Sequence, residues 1–348
     1  MKKLLILPAV LAFAILAFFY FQPKSFRPFY DDAYFMKDEV AGHVHRPDVT
    51  REFVWPEHEA GVIRMVTNNL GFRSDEDTRV RKADGVVRVL VTGDSHTDGL
   101  VENHETFCAL LEKGLNDAGE TAAFEVINGG TGIYGPYNYR GMLSGSLHLN
   151  PDLFLVVFYS GNDFLDGLRT SSLRRTIRIP RRPRSYYSKI KEANRLHHGS
   201  VWQAFNQDYF FANYPEWKEE AVSTAVEQML SAKAICDSSG ISFAVATLPR
   251  YYDFPNLPVP AEETAAARVL GLTRDEIAST RLLTQSFEKR LRGEGVRVID
   301  LSAGMDSGEG LYWQEDHHLN VAGHEAVAAI LYDELREVIL TAGAALRR

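Results

Sequence analysis

The 348-residue sequence has few cysteines, no excess of positive charge and no internal repeat or low-complexity block. Its two cysteines, Cys108 and Cys236, have no Cys or His neighbours at zinc-ligand spacing, which argues against a structural zinc site. Both lie in helix-like segments among apolar residues, so we interpret them as small buried side chains, and a disulfide between them stays open. The net charge of -8 argues against a general nucleic-acid binder, which needs a basic surface.

Only one uncharged apolar run has membrane-spanning length, and it extends from Leu4 to Phe21. Lys2 and Lys3 precede it, so the positive-inside rule places the N-terminus in the cytoplasm. A cleavable signal peptide is the alternative, but its apolar core is usually shorter and ends in small residues, whereas this run ends in bulky aromatic ones. We therefore expect residues 1–24 to form an uncleaved signal-anchor helix. The rest of the chain would then lie beyond the membrane, in the periplasm of a Gram-negative bacterium.

Residues 25–85 form a lead-in of mixed composition without strong periodicity. Val62–Val66 is predicted as a strand, and residues 68–73 (NNLGFR) are predicted as a turn that enters the main domain. His43 and His45 lack carboxylate or cysteine partners at recognisable metal-binding spacing. We therefore predict that they are solvent-exposed loop histidines.

From residue 86 to residue 345, strand-like apolar runs alternate with helix-like segments. The predicted strands are Val86–Val91, Ala123–Ile127, Asp152–Tyr159, Ser242–Leu248 and Val296–Leu301. The predicted helices are Glu105–Ala118, Asn138–Ser146, Glu219–Ser238, Asp275–Arg292 and Val321–Thr341. Nearly continuous apolar runs are typical of strands that are covered on both faces. The pattern therefore predicts an α/β domain with a five-stranded parallel sheet between two layers of helices.

An insertion over residues 165–218 follows the third predicted strand. Its first part, Leu168–Arg195, is strongly basic, and a segment rich in aromatic residues follows as far as Trp217. One interpretation is a lid or wall that binds an anionic glycan or anionic lipid headgroups. The other is a solvated basic loop whose aromatic side chains pack on the core. A second loop, Arg250–Pro260, is expected on the same edge of the sheet.

Small and polar residues follow the first three predicted strands, whose carboxyl ends should share one crevice. They are Gly93-Asp94-Ser95, residues 128–132 (NGGTG) and Gly161-Asn162-Asp163. Residues 314–320 (QEDHHLN) stand just before the last helix. A serine needs a base to become a nucleophile, and an acidic neighbour can orient that base. The backbone N–H of Ser95, an N–H near Gly132 and the side-chain amide of Asn162 are candidate donors to an oxyanion.

In this order and setting, the residues resemble the SGNH hydrolases, also called GDSL esterases. Residues 93–99 (GDSHTDG) are similar to the block that carries the family's nucleophile, here Ser95. Residues 161–163 are similar to the block whose Asn donates to the oxyanion, and residues 316–320 to the block that carries the catalytic histidine. The lead-in at 69–73 is similar to one in membrane-anchored bacterial members. The resemblance covers residues 66–340 and implies a flavodoxin-like sheet of order 2-1-3-4-5, with no metal and no organic cofactor.

The sequence departs from the family pattern in its second block. The position where the family usually has a donor glycine falls on Ile133, one residue after Gly132. A backbone donor can come from any residue except proline, so either N–H stays a candidate for the oxyanion hole.

The catalytic acid is ambiguous as well, because some members place it three residues before the histidine and others two. We choose Asp316 over Glu315, with His318 as the base, since Leu319-Asn320 follows that histidine as in the family. His317 is then expected to be a surface neighbour. His324 is expected to serve packing or helix capping.

The sequence therefore predicts a membrane-anchored extracytoplasmic serine esterase with Ser95, His318 and Asp316 as its triad. We expect an acylated small molecule or an acetylated envelope polysaccharide as substrate. One alternative is an O-acyltransferase of an envelope glycan that uses the same triad and receives acyl groups from a membrane acyltransferase partner. Others are a non-catalytic glycan-binding scaffold and a lipase, which would need an apolar acyl groove.

Overall fold

The computed structural model describes residues 33–118, 123–174, 176–254, 256–257 and 259–345. The signal-anchor helix predicted for residues 1–24 lies outside these ranges. Among the helices within them, we find none with the length and apolar character that crossing a membrane requires.

Two antiparallel hairpins precede the main sheet. Strands β1 (Phe35–Asp38) and β2 (Gly42–His45) form the first, and β3 (Thr50–Val54) and β4 (Val62–Val66) form the second. The strand predicted at Val62–Val66 is confirmed. Inward side chains alternate with outward ones along β4, and the inward ones join a small apolar cluster with Tyr34 and Phe35. The lead-in is therefore an ordered layer with its own core.

The main domain is built on the predicted five-stranded parallel sheet. Its strands are β5 (Val86–Gly93), β6 (Ala123–Asn128), β7 (Leu153–Tyr159), β8 (Ser242–Leu248) and β9 (Arg297–Asp300). They lie side by side in the order β6-β5-β7-β8-β9, and each pairs in parallel with its neighbours. Every residue of β7 is buried, because helices cover both faces of the sheet. The carboxyl ends of β5, β6 and β7 consequently share one edge.

The described part of the chain contains eleven α-helices, of which several form layers on the two faces of this sheet, while others pack in a separate cluster. They are α1 (Ser95–Asp98), α2 (Phe107–Asp117), α3 (Pro136–Ser146), α4 (Asp163–Leu173), α5 (Arg184–Leu196), α6 (His198–Ser200), α7 (Asn206–Asn213), α8 (Lys218–Ser239), α9 (Ala261–Leu270), α10 (Arg274–Gly293) and α11 (Val321–Ala345). Helices α3, α4, α8 and α10 pack their apolar side chains on one face of the sheet. Helices α2 and α11 cover the other face. The predicted three-layer arrangement is confirmed.

The insertion is helical and is anchored to the domain. It contains α5, α6, a π-helical turn (Val201–Phe205) and α7. Five of its aromatic side chains are buried: Tyr186, Phe205, Tyr209, Phe210 and Phe211. These rings pack in the core, as one of the two interpretations of the insertion expected. Most of its arginines and lysines are exposed, so a binding role for the basic part stays a prediction.

The second loop is anchored too. Arg250 is completely buried and forms ion pairs with Asp208 of α7 and Asp253, both at 2.9 Å. A buried arginine of this kind ties the loop to the insertion. Cys108 and Cys236 are both free and buried, as expected of small apolar side chains.

Candidate active site

Ser95 stands where the central strand β5 ends. Asp94 caps the short helix α1, since its Oδ1 accepts a hydrogen bond from the backbone N–H of His96 at 2.9 Å. A Cβ at Gly93 would lie 2.0 Å from Thr97 Oγ1 and 2.8 Å from the carbonyl oxygen of Val157. The tight passage from strand to helix therefore requires glycine at position 93, and it holds Ser95 at the sheet edge.

His318 and Asp316 come to Ser95 from the loop before α11. His318 Nε2 lies 2.7 Å from Ser95 Oγ, and His318 Nδ1 lies 2.7 Å from Asp316 Oδ2. Asp316 Oδ1 also accepts a hydrogen bond from the backbone N–H of His318 at 2.9 Å. The structure thus brings together the three residues that the sequence analysis proposed, in the order expected for a nucleophile, a base and an acid.

The electrostatics of the pair favour a basic imidazole. Burial of His318 opposes its protonation, but the charge and hydrogen bond of Asp316 outweigh that effect and raise the pKa of His318. Burial also works against ionisation of Asp316, yet His318 lowers the pKa of Asp316 below its ordinary value. Asp316 therefore stays ionised and stabilises an imidazolium on His318.

The neighbours of the pair have other contacts. Glu315 is exposed, and its backbone N–H donates to Glu57 Oε1 at 3.0 Å. The prediction that His317 lies at the surface is wrong: it is buried, and its Nε2 lies 3.0 Å from Glu263 Oε1. Its backbone has a left-handed φ of 62°, which turns its ring away from that of its neighbour in the chain. His324 packs and caps as predicted, because its Nδ1 accepts the backbone N–H of Phe107 at 3.1 Å.

His317 belongs to the one group of three potential metal ligands that the described residues contain, together with His197 and Glu263. His197 Nδ1 accepts a hydrogen bond from the backbone N–H of Ser200 at 3.0 Å, so a neutral His197 carries its proton on Nε2, the nitrogen nearer Glu263. A metal ion bound at His197 Nε2 would move the ring proton to Nδ1, and Nδ1 could then no longer accept the hydrogen bond from Ser200. Glu263 accepts from the hydroxyl of Tyr252 and lies 3.0 Å from His317 Nε2, whereas His197 Nε2 is 3.8 Å away, beyond hydrogen-bond distance.

The candidate oxyanion donors lie on three loops at the sheet edge. The backbone N–H groups of Ser95, Gly132 and Ile133 make no hydrogen bond within the described residues. Ser95 and Gly132 line one pocket with His318, whereas the side chain of Ile133 is 52% exposed. Ile133 has a φ of 69°, a conformation that costs a β-branched residue about 1–2 kcal/mol.

His43 fixes the peptide between Gly132 and Ile133. Its Nε2 lies 2.8 Å from the carbonyl oxygen of Gly132, and since a carbonyl only accepts, Nε2 must carry the proton. A planar trans peptide points its N–H opposite to its C=O, so the N–H of Ile133 points away from His43. Strand β2 therefore orients one candidate donor.

Asn162 lies three residues after the end of β7, in the turn where the sequence placed it. Its Oδ1 and Asp94 Oδ2 are both buried acceptors that lack a hydrogen-bond partner in the described part of the chain. Burial raises the pKa of Asp94 to about 7, although the backbone N–H of His96 and the side chain of Asn162 act in the opposite direction.

The prediction that His43 and His45 are exposed loop residues is wrong. Both lie in β2, and the ring of His45 is buried with its Nε2 3.1 Å from Asp98 Oδ2. Asp98 also accepts a hydrogen bond from the buried guanidinium of Arg73. The same guanidinium donates to the backbone carbonyl oxygens of Asp98, Gly99 and Val101. The lead-in therefore packs against the segment after the serine.

Sequence reasoning missed Gln203 and Gly199, which contact His318 and Asp316 from the insertion. Gln203 Nε2 lies 3.3 Å from Nε2 and 3.4 Å from Nδ1 of His318, and its Oε1 lies 3.1 Å from His96 Nε2. A Cβ on Gly199 would lie 2.4 Å from Asp316 Cα, so the insertion packs directly on the backbone of the acid. No motif marks these positions, because they reach the site through tertiary packing.

Comparison with known proteins gives structural likenesses only: no family model matches the sequence, and no curated protein does. A GDSL-like lipase from Bacteroides thetaiotaomicron is 11% identical, with 73% of this chain and 88% of that chain covered and a TM-score of 0.40. A lipase/acylhydrolase from Enterococcus faecalis is 15% identical, with 72% and 96% covered and a TM-score of 0.42. An acetyl xylan esterase is 14% identical, with 71% and 98% covered and a TM-score of 0.39. Each of these three solved structures is thus a lipase or an esterase by its own description.

Proposed function

We propose that this chain is a serine esterase that hydrolyses short acyl esters. The observation that carries the proposal is the continuous path from Ser95 Oγ through His318 to Asp316, with 2.7 Å at each step. A serine hydroxyl is a weak nucleophile unless a base of this kind accepts its proton. The raised pKa of His318 suits a group that accepts a proton and then releases it.

In the proposed mechanism, Ser95 Oγ attacks the ester carbonyl while its proton moves to His318 Nε2. Asp316 holds the imidazolium in place through Nδ1. Backbone N–H groups of the oxyanion loops and the amide of Asn162 stabilise the charge on the carbonyl oxygen. His318 then protonates the departing alcohol and an acyl-serine remains. Water, deprotonated by His318, releases the acid and restores Ser95.

The size of the pocket supports a short acyl group. The pocket beside Ser95 and His318 has a volume of about 70 Å³. One water-sized group needs about 10–15 Å³, so this volume is enough for an acetyl group. A larger groove of about 940 Å³ runs along Tyr251 and α9, but neither Ser95 nor His318 lines it.

The cellular setting is part of the same proposal. We place the catalytic domain outside the cytoplasm, held by residues 1–24, with an acylated envelope glycan as substrate. The exposed basic residues of the insertion support an anionic polymer. A reporter fused after residue 348, active only beyond the membrane, would test this placement in cells.

The decisive experiment compares the wild type with Ser95→Ala on p-nitrophenyl acetate, p-nitrophenyl octanoate and acetylated glycans. A fluorophosphonate probe should label the wild type and not the variant. We expect acetyl to be preferred over octanoyl, with release of free acetate; its appearance on an added sugar would indicate acyl transfer instead. Equal rates for the two proteins on every ester would overturn the proposal.

A further inference from the structure

The pocket beside the catalytic serine has two walls of different origin. One wall comes from the loops at the sheet edge, with Ser95, Gly132 and His318. The other comes from the N-terminal hairpins, which contribute apolar side chains and one arginine, Arg51 of β3. The lead-in therefore completes the space in which a substrate would lie.

Arg51 is held in this wall by aromatic rings. Its guanidinium carbon lies 4.3 Å from the centre of the Phe53 ring and 5.5 Å from the centre of the Tyr34 ring. These contacts act on the positive charge of the guanidinium. Since both rings also line the pocket, they hold the cation there.

The charge of Arg51 is not balanced within the described part of the chain. Arg51 forms neither an ion pair nor a side-chain hydrogen bond with any residue there. Asp98 is the carboxylate that lines the same pocket, and it is already bound by Arg73 and His45 at 3.1 Å each. A half-buried cation with free donors beside a nucleophile is suited to binding an anion.

We propose that Arg51 binds an anionic group of the substrate, a carboxylate or a phosphate, next to the ester that Ser95 attacks. The substrate class is then an acyl ester of an acidic molecule, such as an O-acetylated acidic sugar. This inference rests on the proposed esterase function. The competing explanation is that Arg51 only stabilises the hairpin through its contacts with the rings.

The test uses matched aryl acetates that differ in one group. They are 3-acetoxybenzoate, its neutral counterpart 3-acetoxybenzamide, and 3-acetoxyphenyl phosphate. The measured quantity is the ratio of kcat/KM for each anionic ester to kcat/KM for the neutral one. We expect Arg51→Met to lower this ratio by about 10- to 100-fold, the range for loss of a charge-assisted hydrogen bond. Arg51→Lys should restore part of it, because the charge remains. The anion with the larger ratio in the wild type identifies the group that the site prefers.

Arg64 provides the matched control, since it lies on the other strand of the same hairpin, is exposed and does not line the pocket. Its ion pair, at 3.9 Å to the exposed Asp75, is weak. Arg64→Met should leave the ratio within about twofold of the wild type. The inference is overturned if Arg51→Met leaves the ratio unchanged. It is also overturned if Arg64→Met lowers the ratio equally, because the preference for the anionic ester would then come from the overall positive charge of this surface.

A binding measurement separates failure of this inference from failure of the esterase proposal. Calorimetric titration of Ser95→Ala with 3-acetoxybenzoate needs no turnover. Binding that is weakened at least tenfold by adding Arg51→Met supports the anion site even if the wild type hydrolyses none of the three esters. If Arg51→Met does not change the binding, the proposal of an anion site is refuted, whether or not the wild type is an esterase.

Discussion

The carboxylate of Asp316 decides which nitrogen of His318 carries the proton. Asp316 Oδ2 lies 2.7 Å from Nδ1, so Nδ1–H donates to the carboxylate and Nε2 keeps a lone pair for the proton of Ser95. In Asp316→Asn, the backbone N–H of His318 holds the amide oxygen at the Oδ1 position. The amide nitrogen then faces Nδ1 as a donor and forces the proton onto Nε2. That tautomer cannot accept a proton from Ser95.

We expect Asp316→Asn to lower kcat for p-nitrophenyl acetate by about 10³- to 10⁴-fold, or about 4–5.5 kcal/mol of transition-state stabilisation. Glu315→Gln is the matched control, because Glu315 is exposed and only its backbone N–H has a fixed partner. It should stay within about twofold of the wild type. Equal losses in the two variants, or a larger loss in Glu315→Gln, would refute the assignment of the acid.

The pH profile gives an independent check of the same contact. The base must be neutral, so kcat/KM rises as pH passes through the pKa of His318. Asp316 raises that pKa, which places the midpoint of the acid limb above the ordinary value of 6.5. In Asp316→Asn, burial is no longer outweighed, and the midpoint should fall below 6.5. A midpoint that does not move would contradict this account.

Three further variants test the supports of the site. Gln203→Leu removes the amide beside His318, and we expect kcat to fall about tenfold with little change in KM; an unchanged kcat would assign the amide no role. Gly199→Ala places a Cβ 2.4 Å from the backbone of Asp316, so activity should fall at least tenfold while the circular dichroism spectrum stays native. Full activity would show that the insertion moves and leaves Asp316 in place. Arg73→Met leaves a buried carboxylate and several carbonyls without their donor, which should lower the free energy of unfolding by about 3–5 kcal/mol in a urea titration; a loss below 1 kcal/mol would mean that this network is not stabilising.

The strands and helices of the main domain were predictable because their burial pattern is local. Nearly continuous apolar runs such as Leu153–Tyr159 predict strands covered on both faces, and this strand differs from the prediction only at its first residue. Ser242–Leu248 agrees at both ends. The helices of the insertion were not predicted. The insertion contains many arginines and aromatic residues, and among them the apolar face that α5 buries against α9 is difficult to recognise in the sequence.

The histidines show where a local pattern fails. His43, His45 and His317 were expected at the surface, yet each has a polar partner far away in the sequence. A histidine is stable inside a protein once its ring nitrogens are hydrogen-bonded, and neighbouring residues do not reveal such a partner. The burial of His45 and His317 and the partial burial of His43 therefore depend on how the hairpins and α9 pack on the domain.

The sequence by itself determined the parallel α/β fold and nominated the serine, the histidine and its acid, because periodicity and strand-end motifs are local properties. Tertiary structure alone placed Ser95 Oγ within 2.7 Å of a histidine 223 positions away. It also made the lead-in a wall of the pocket, with Arg51 facing the same space as the serine. These contacts join segments that are distant in the chain, and only the packing of hairpins, insertion and sheet edge sets their distances.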